Sequence, residues 1–183
     1  GSKSALPALL QPFQELRLDL FGSGDLLRLT RAEAAAPALP LRSERTLAGL
    51  YCNELMVRLV PRADAHPQLY ARYRGALVEL VETTALAWAL RCFERDLMGA
   101  LGYANDFCSD ADGNALDANG RYRFQPEHGF VAVADDGAGY SGSALLAMAG
   151  SSEPLPEQLR ELRRLFRELI SQHLRGEPLQ SWG

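Results

Sequence analysis

The chain has 183 residues, of which 47 % are hydrophobic, and a formal net charge of −4 at pH 7. This length and apolar content are typical of one or two globular domains that bury their own cores. No apolar run approaches the roughly 18–20 residues that cross a bilayer, and three cysteines at scattered positions do not form a disulfide framework. Composition therefore excludes membrane-spanning and disulfide-rich secreted proteins, and we expect a cytoplasmic protein.

The negative charge is concentrated in the middle of the chain. Residues 1–75 carry ten basic and seven acidic side chains, residues 76–153 carry four and twelve, and residues 154–183 carry five and four. The three local balances are therefore +3, −8 and +1. Because phosphate binding depends on clustered positive charge, we expect the middle of the chain to repel nucleic acid.

The first predicted element is a β-hairpin. Residues 14–21 alternate between polar and apolar types, residues 22–25 predict a turn, and the alternation resumes over residues 26–31. Two strands are marginally stable by themselves, so the hairpin must rest on later helices or belong to a larger sheet. The alternation also favours Phe13 and Phe21 as core residues over a base-stacking role.

Helical periodicity replaces the alternation after Pro40. The first helix is predicted over about residues 43–60, with Ser43 as its N-cap and Pro61 after its end. Its predicted buried stripe consists of Leu47, Leu50, Tyr51, Leu55 and Leu59. Two further helices are predicted over about residues 67–81 and 83–101, and their short connections favour an antiparallel bundle.

The rest of the chain predicts a small sheet and two helices. Residues 104–139 are polar and rich in Gly, Asp and Asn, but apolar pieces at 122–124 and 130–134 predict a hairpin. A short helix is predicted over residues 141–149 and a long one over residues 156–174. The predicted buried face of the long helix consists of Leu159, Leu162, Phe166, Leu169 and His173.

The segment Leu90–Tyr103 is the most informative part of the sequence. Its apolar residues recur at steps of three and four, and Gly102 is placed where a left-handed C-terminal cap is expected. That apolar face consists of Leu86, Leu90, Phe93, Leu97 and Leu101. The opposite side carries Arg91, Glu94, Arg95 and Asp96. Arg91 follows Trp88 by three residues, so a guanidinium is expected near an aromatic ring at the margin of an apolar surface, which suits an anionic, hydrophobic ligand.

This segment resembles the corresponding helix of the RecO family of bacterial recombination mediators. Further segments resemble that family in the same order, namely Leu10–Phe13, Thr30–Ala34, Ala38–Leu41, Gly49–Leu55, Arg121–Phe124, His128–Phe130 and Leu174–Leu179. The resemblance implies an α+β, mostly helical fold that lacks roughly the first forty family residues, which belong to an OB-fold barrel. Residues 1–37 would be the C-terminal part of that OB fold. Residues 38–183 would be a helical domain with a loop and β-hairpin insertion at about 104–139.

The resemblance also implies a function and its partners. RecO proteins are non-enzymatic mediators of DNA gap repair that bind single-stranded DNA, anneal strands and, with RecR, help to load RecA. They also bind the acidic C-terminal tail of single-stranded-DNA-binding protein, which ends in a hydrophobic residue and a free carboxylate. We therefore expect a nucleoid-associated cytoplasmic protein with these partners and no membrane contact.

The expected binding site for the tail peptide combines Arg91, Trp88 and Arg95, because an arginine beside an apolar pocket suits a carboxylate attached to a hydrophobic residue. On this interpretation, Arg91→Glu abolishes tail binding and leaves the melting temperature close to that of the wild type. The alternative is an ordinary surface ion pair between Arg91 and Glu94, in which case peptide affinity does not change.

Candidates for nucleic-acid contact mix basic and aromatic side chains, which hold phosphates and stack on bases. They are Arg72, Arg74, Tyr70, Tyr73, Lys3 and Arg17. The alternative for the first four is that the tyrosines are half-buried helix residues and the arginines form a solvated face. A purely protein-binding adaptor, with only indirect DNA contact, is the competing function.

Metal, cofactor and catalytic sites are not expected. The Asp-rich segment 110–121 has its glycine and its last residue at the wrong positions for a calcium loop. Cys108 is the only cysteine in the region where some RecO proteins carry a four-cysteine zinc site. The three histidines occur singly, and no hydrolase or phosphate-loop motif is present.

Overall fold

The computed structural model describes residues 9–24, 26–61, 65–134, 139–150, 152–174 and 178–182. Its strands are β1 (Leu16–Phe21), β2 (Arg28–Ala34), β3 (Arg121–Gln125), β4 (Gly129–Val133) and β5 (Tyr140–Ser141). Its helices are α1 (Glu44–Leu59), α2 (Pro67–Glu82), α3 (Leu86–Ala100), α4 (Gly142–Gly150) and α5 (Pro156–Ser171), and a 3₁₀ turn follows at Gln180–Trp182. The predicted class, α+β and mostly helical, is confirmed. Within the described ranges, no helix has the length and apolarity of a membrane span.

The predicted N-terminal hairpin is present as the antiparallel pair β1–β2, with an irregularity in the register between Asp19 and Leu20. Most of its side chains are exposed, and Phe21 is 74 % exposed. The expected burial of Phe21 is therefore wrong. Two strands form a single layer, and no other described element covers the end of the hairpin where Phe21 lies.

The segment before the hairpin docks on α1 through a glycine. A side-chain carbon placed on Gly49 would lie 2.6 Å from Cε1 of Phe13 and 2.8 Å from Cδ1 of Leu41. Both distances are shorter than van der Waals contact, so a larger residue at this position would force the two side chains to shift from their present packing. Phe13 is thereby attached to the helical core, which agrees with the packing role expected from the sequence.

The main core lies among α1, α2, α3 and α5, which pack against one another. The buried residues of α1 include Ala48, Tyr51, Cys52 and Leu55, whereas Leu47 is 68 % exposed and Leu50 is also exposed. The predicted stripe of α1 is thus wrong in its first half. The small residues Ala48 and Gly49 occupy the tightly packed side of the helix, and the bulkier leucines beside them face outward.

The helix predicted from Leu90–Tyr103 and the residues before it is confirmed as α3. Phe93 and Leu97 are buried in the core. Gly102 has a φ of 86°, and the Tyr103 N–H donates to the Met98 carbonyl at 2.8 Å. This is the Schellman arrangement, which satisfies a carbonyl at the end of the helix and turns the chain sharply after it.

The predicted hairpin of the insertion is confirmed as β3–β4, and β5 adds a third strand on the other side of β3. Glu161 of α5 fixes this sheet, because it accepts hydrogen bonds from the backbone N–H and the hydroxyl of Ser141 at 2.7 Å each. The same carboxylate pairs with Arg121 at 3.0 Å. At the start of α4, a side-chain carbon on Gly142 would lie 1.9 Å from the Asp117 carbonyl oxygen, so this contact requires glycine.

Candidate partner-binding site

The three residues expected to bind the tail peptide lie on α3 but in different environments. Trp88 and Arg91 are buried, and Arg91 is only 6 % exposed. Arg95 is half-buried and reaches the surface one turn later. The prediction that Arg91 lies at an exposed margin is therefore wrong, because α1 packs against α3 and these side chains are enclosed in the core.

Arg91 belongs to a buried polar network with Glu94 and Tyr51. Its Nε and Nη2 atoms donate to the two carboxylate oxygens of Glu94, and the Tyr51 hydroxyl donates to Oε1 of the same carboxylate. Glu94 is 1 % exposed. The alternative of an ordinary surface pair is therefore also wrong, since the pair exists but is withdrawn from solvent.

The protonation states in this network follow from burial. Burial by itself lowers the pKa of Arg91, but the adjacent Glu94 carboxylate outweighs it and holds that pKa above its ordinary value. Burial also raises the pKa of Tyr51, and the negative charge of Glu94 raises it further. Arg91 is thus a cation matched to a buried anion, and Tyr51 is a neutral donor. Arg91→Glu would place two carboxylates together in the core, so the expected wild-type melting temperature for this variant is not tenable.

A cavity of about 650 Å³ opens between the start of α2, the second half of α3 and the segment after α3. We call it the α2–α3 cavity. Its apolar lining includes Leu69, Met98, Phe107 and Phe166, all buried. Arg95 lines it, whereas Arg91 and Trp88 are not among its lining residues.

The polar rim of the α2–α3 cavity is an arginine pair that shares one carboxylate. Asp96 lies 3.1 Å from Nη1 of Arg72 and 3.0 Å from Nε of Arg95. Arg95 also donates from Nη1 to the Met148 carbonyl at 2.7 Å, which fixes its position. Among the described residues, two guanidinium groups and one carboxylate give this rim a charge of +1, next to an apolar floor.

The basic and aromatic residues of α2 do not form one surface. Arg72 faces Asp96 on α3, whereas Arg74 pairs with Glu15, just before β1, at 2.8 Å. Tyr70 also donates to Glu15, at 3.2 Å. Residues two apart on a helix point in different directions, so the predicted cluster divides into a cavity rim and a contact with the hairpin segment.

Tyr73 has a packing role. Its hydroxyl donates to Oδ1 of Asn53 at 2.6 Å, and its ring centroid lies 6.4 Å from that of Phe93. Burial raises the pKa of Tyr73 to about 12. Tyr73 is therefore half-buried and engaged in packing, as the alternative interpretation describes, whereas Tyr70 keeps an exposed ring. Base stacking by these tyrosines stays a prediction.

The two remaining candidates for nucleic-acid contact are Arg17, in the hairpin, and Lys3. Arg17 is exposed on β1, with Nη1 3.4 Å from a carboxylate oxygen of Glu33. Lys3 lies outside the described residues. In the described part of the chain, no group of three or more His, Cys, Asp or Glu side chains is arranged to hold a metal ion. Asp110 instead accepts hydrogen bonds from the backbone N–H groups of Asp112 and Asn114, which closes a local turn.

The comparison with known proteins covers almost the whole chain. The family model described as "Recombination protein O C terminal" matches residues 41–183. A protein of Xanthomonas oryzae pv. oryzae named "DNA repair protein RecO" is 40 % identical, over 98 % of this chain and 78 % of that protein. Proteins of the same name from Xanthomonas campestris pv. campestris and Stenotrophomonas maltophilia are each 39 % identical. These matches cover 98 % and 97 % of this chain, and 77 % and 76 % of the respective relatives.

Proposed function

Because the chain belongs to the RecO family of DNA repair proteins, we propose that it acts as a non-enzymatic recombination mediator in DNA gap repair. The family resemblance seen in the sequence is confirmed, and the chain shares with its relatives a role in DNA repair and recombination. In this role it binds single-stranded DNA and the tail of single-stranded-DNA-binding protein, and it anneals strands. With RecR it helps to load RecA.

The observation that carries the peptide-binding part of this proposal is the α2–α3 cavity. A peptide that ends in a hydrophobic residue and a free carboxylate needs an apolar pocket and a cation at the same place. The floor around Leu69, Met98 and Phe166 offers the first. Arg95 offers the second, because Asp96 and the Met148 carbonyl hold its guanidinium at the rim before any ligand arrives.

Arg72 and Arg91 contribute to this site in different ways. Arg72 is exposed at the rim and can join the incoming carboxylate through its remaining N–H groups. Arg91 acts as a positioning residue, since its pair with Glu94 and the Tyr51 contact join α3 to α1. Trp88 packs in the same core. Of the three residues first expected to touch the peptide, Arg95 therefore makes the direct contact.

Binding of single-stranded DNA is assigned to the hairpin and the adjacent side of α2. The exposed guanidinium groups there include Arg17, Arg31 and Arg74, each of which lies beside a carboxylate of Glu33 or Glu15. Exposed ion pairs contribute only about 0–1 kcal/mol, so a phosphate can replace the carboxylate at small cost. The expected affinity is moderate and falls steeply with salt.

The experiment for the peptide site is a titration with a fluorescent peptide that has the sequence of the acidic tail. Arg95→Glu removes a charge-assisted hydrogen bond of about 1.5–3 kcal/mol and adds repulsion, so the affinity should fall by at least about tenfold. Arg160→Glu is the matched control, because Arg160 is exposed on α5 and does not line the cavity. Equal affinities of wild type and Arg95→Glu would refute this location.

A protein-binding adaptor with only indirect DNA contact is the second candidate, and one observation favours it. The arginines assigned to DNA each already have a carboxylate partner within the chain. A gel-shift experiment with labelled single-stranded DNA separates the two functions. A shift by the chain alone supports direct binding, whereas a shift only when single-stranded-DNA-binding protein is present supports the adaptor.

A further inference from the structure

A second cavity, of about 540 Å³, adjoins the first one. We call it the Tyr103 cavity. It lies between the segment after α3, the β3–β4 hairpin and the end of α5, and its floor includes the buried residues Phe124, Phe130 and Leu169. The two cavities share Tyr103, Ala104 and Asn105, so they lie side by side against the same segment after α3.

The charge of the Tyr103 cavity is opposite to that of its neighbour. Among the described residues, its lining includes the carboxylates of Asp106, Asp110 and Glu127 and no arginine or lysine. The α2–α3 cavity instead has the rim of two arginines and one aspartate described above. The described linings of the two cavities therefore carry opposite net charges, which gives each cavity a different ligand preference.

The three carboxylates of this cavity differ in how many hydrogen bonds they accept from the protein. Hydrogen bonds from the Asn114 backbone and side chain hold the pKa of Asp110 below its ordinary value, so this group is an anion at neutral pH. Asp106 accepts one hydrogen bond, from the Cys108 N–H at 2.7 Å. Glu127, at the tip of the β3–β4 hairpin, forms no hydrogen bond or ion pair with any described residue.

An aromatic stack forms one wall of the cavity. The rings of Tyr103 and His173 lie 3.7 Å apart at an interplanar angle of 20°, and Tyr103 is 44 % exposed. Burial lowers the pKa of His173, which keeps its imidazole neutral at neutral pH. The wall thus combines π faces with neighbouring anions and carries no positive charge of its own.

We propose that the Tyr103 cavity binds an arginine-bearing segment of a protein partner. A guanidinium is planar, stacks on aromatic rings and pairs with carboxylates, so it matches each feature of this lining. Nucleic acid is disfavoured, because its phosphates would meet three carboxylates. This inference is independent of the peptide site in the α2–α3 cavity, because the two cavities select opposite charges.

The test is a titration of isotope-labelled protein with the blocked tripeptide acetyl-Gly-Arg-Gly-amide, followed by amide chemical shifts in NMR spectra. The tripeptide with citrulline in place of arginine is the control, since citrulline keeps the shape and loses the charge. Arginine-dependent shifts at Tyr103, Glu127 and His128 support the proposal. Equal binding of the citrulline peptide, or shifts confined to other surfaces, overturn it.

Substitutions distinguish specific binding of the peptide at the Tyr103 cavity from its nonspecific electrostatic attraction to a negatively charged chain. Glu127→Gln should weaken binding of the arginine tripeptide by about 1.5- to 5-fold, the range for one exposed charge pair. The separate variant Tyr103→Leu should weaken binding by more than Glu127→Gln does, because it removes the aromatic face on which the guanidinium stacks. Glu157→Gln is the matched control, because Glu157 is exposed in the first turn of α5 and lies outside the cavity lining. An equal effect of Glu157→Gln overturns the proposal, as does an oligothymidylate that shifts the same resonances more strongly.

Discussion

Replacement of Arg91 by methionine tests the buried network most severely. Methionine keeps much of the aliphatic volume of arginine but removes both hydrogen bonds to Glu94, which then has only the Tyr51 hydroxyl as a donor. A carboxylate that is 1 % exposed cannot recover these bonds from water. Loss of one partner of a buried pair costs about 3–5 kcal/mol.

The cost should be visible as a change in melting temperature. For a domain of about 150–250 residues, each kcal/mol lowers the melting temperature by about 2–4 °C, so Arg91→Met should melt about 6–20 °C below wild type. Urea unfolding followed by circular dichroism gives the free energy directly. A loss below about 1 kcal/mol would refute the reasoning, because that is the range of an exposed ion pair.

A triple variant separates the loss of a partner from a general packing defect. Arg91→Met, Glu94→Leu and Tyr51→Phe together remove the cation, the anion and the third polar group. Since no charged group of the pair is then left in the core without its partner, most of the lost free energy should return. If the triple variant is no more stable than Arg91→Met, packing and not charge explains the single variant.

Three further predictions concern other parts of the fold. Burial holds the pKa of His173 below its ordinary 6.5, so near this pH the folded state binds fewer protons than the unfolded chain. The free energy of unfolding should therefore decrease as the pH falls below that value. In His173→Phe, the melting temperature should depend less on pH between about pH 8 and about pH 5. Gly142→Ala should destabilise the fold by about 1–3 kcal/mol in urea unfolding, since its added carbon would overlap the Asp117 carbonyl; an unchanged midpoint would contradict this. Arg17→Ala and Arg74→Ala should each lower the salt dependence of single-stranded DNA binding by about 0.7 in log–log slope if each arginine contacts one phosphate, and an unchanged slope would remove that residue from the DNA surface.

Local patterns predicted the elements whose signals lie within a few residues. The apolar spacing of α3 and the glycine at its end were sufficient to predict both the helix and its cap at Gly102. The same holds for the β3–β4 hairpin, whose apolar pieces are separated by a short turn. β5 was missed because a strand of two residues, Tyr140–Ser141, has too few residues for alternation to be recognised.

The site could be predicted only in part, because its geometry depends on distant contacts. The periodicity of α3 placed Arg91 opposite the leucines, and only the packing of α1 against α3 shows that this side is also buried. Arg72 and Asp96 are 24 residues apart, so their pairing has no local signature. The floor of the α2–α3 cavity combines Leu69, Phe107 and Phe166, and no spacing rule relates residues that far apart.

The spacing of the arginines on α2 already indicated that they face different sides of the helix, although their shared residue type suggested one basic surface. Arg72 and Arg74 are separated by two positions, which on a helix directs them to different sides. The structure uses them accordingly, one toward α3 and one toward Glu15. Grouping residues by type alone merged two surfaces that the helical angle keeps apart.

We propose above all that Arg95 receives the terminal carboxylate of a tail peptide at the α2–α3 cavity. The most direct measurement is a double-mutant cycle that combines wild-type protein and Arg95→Ala with the tail peptide bearing either a free or an amidated C-terminus. We predict that amidation weakens binding to the wild type by about tenfold or more and has little further effect on Arg95→Ala. An equal loss on amidation in both proteins would contradict the account.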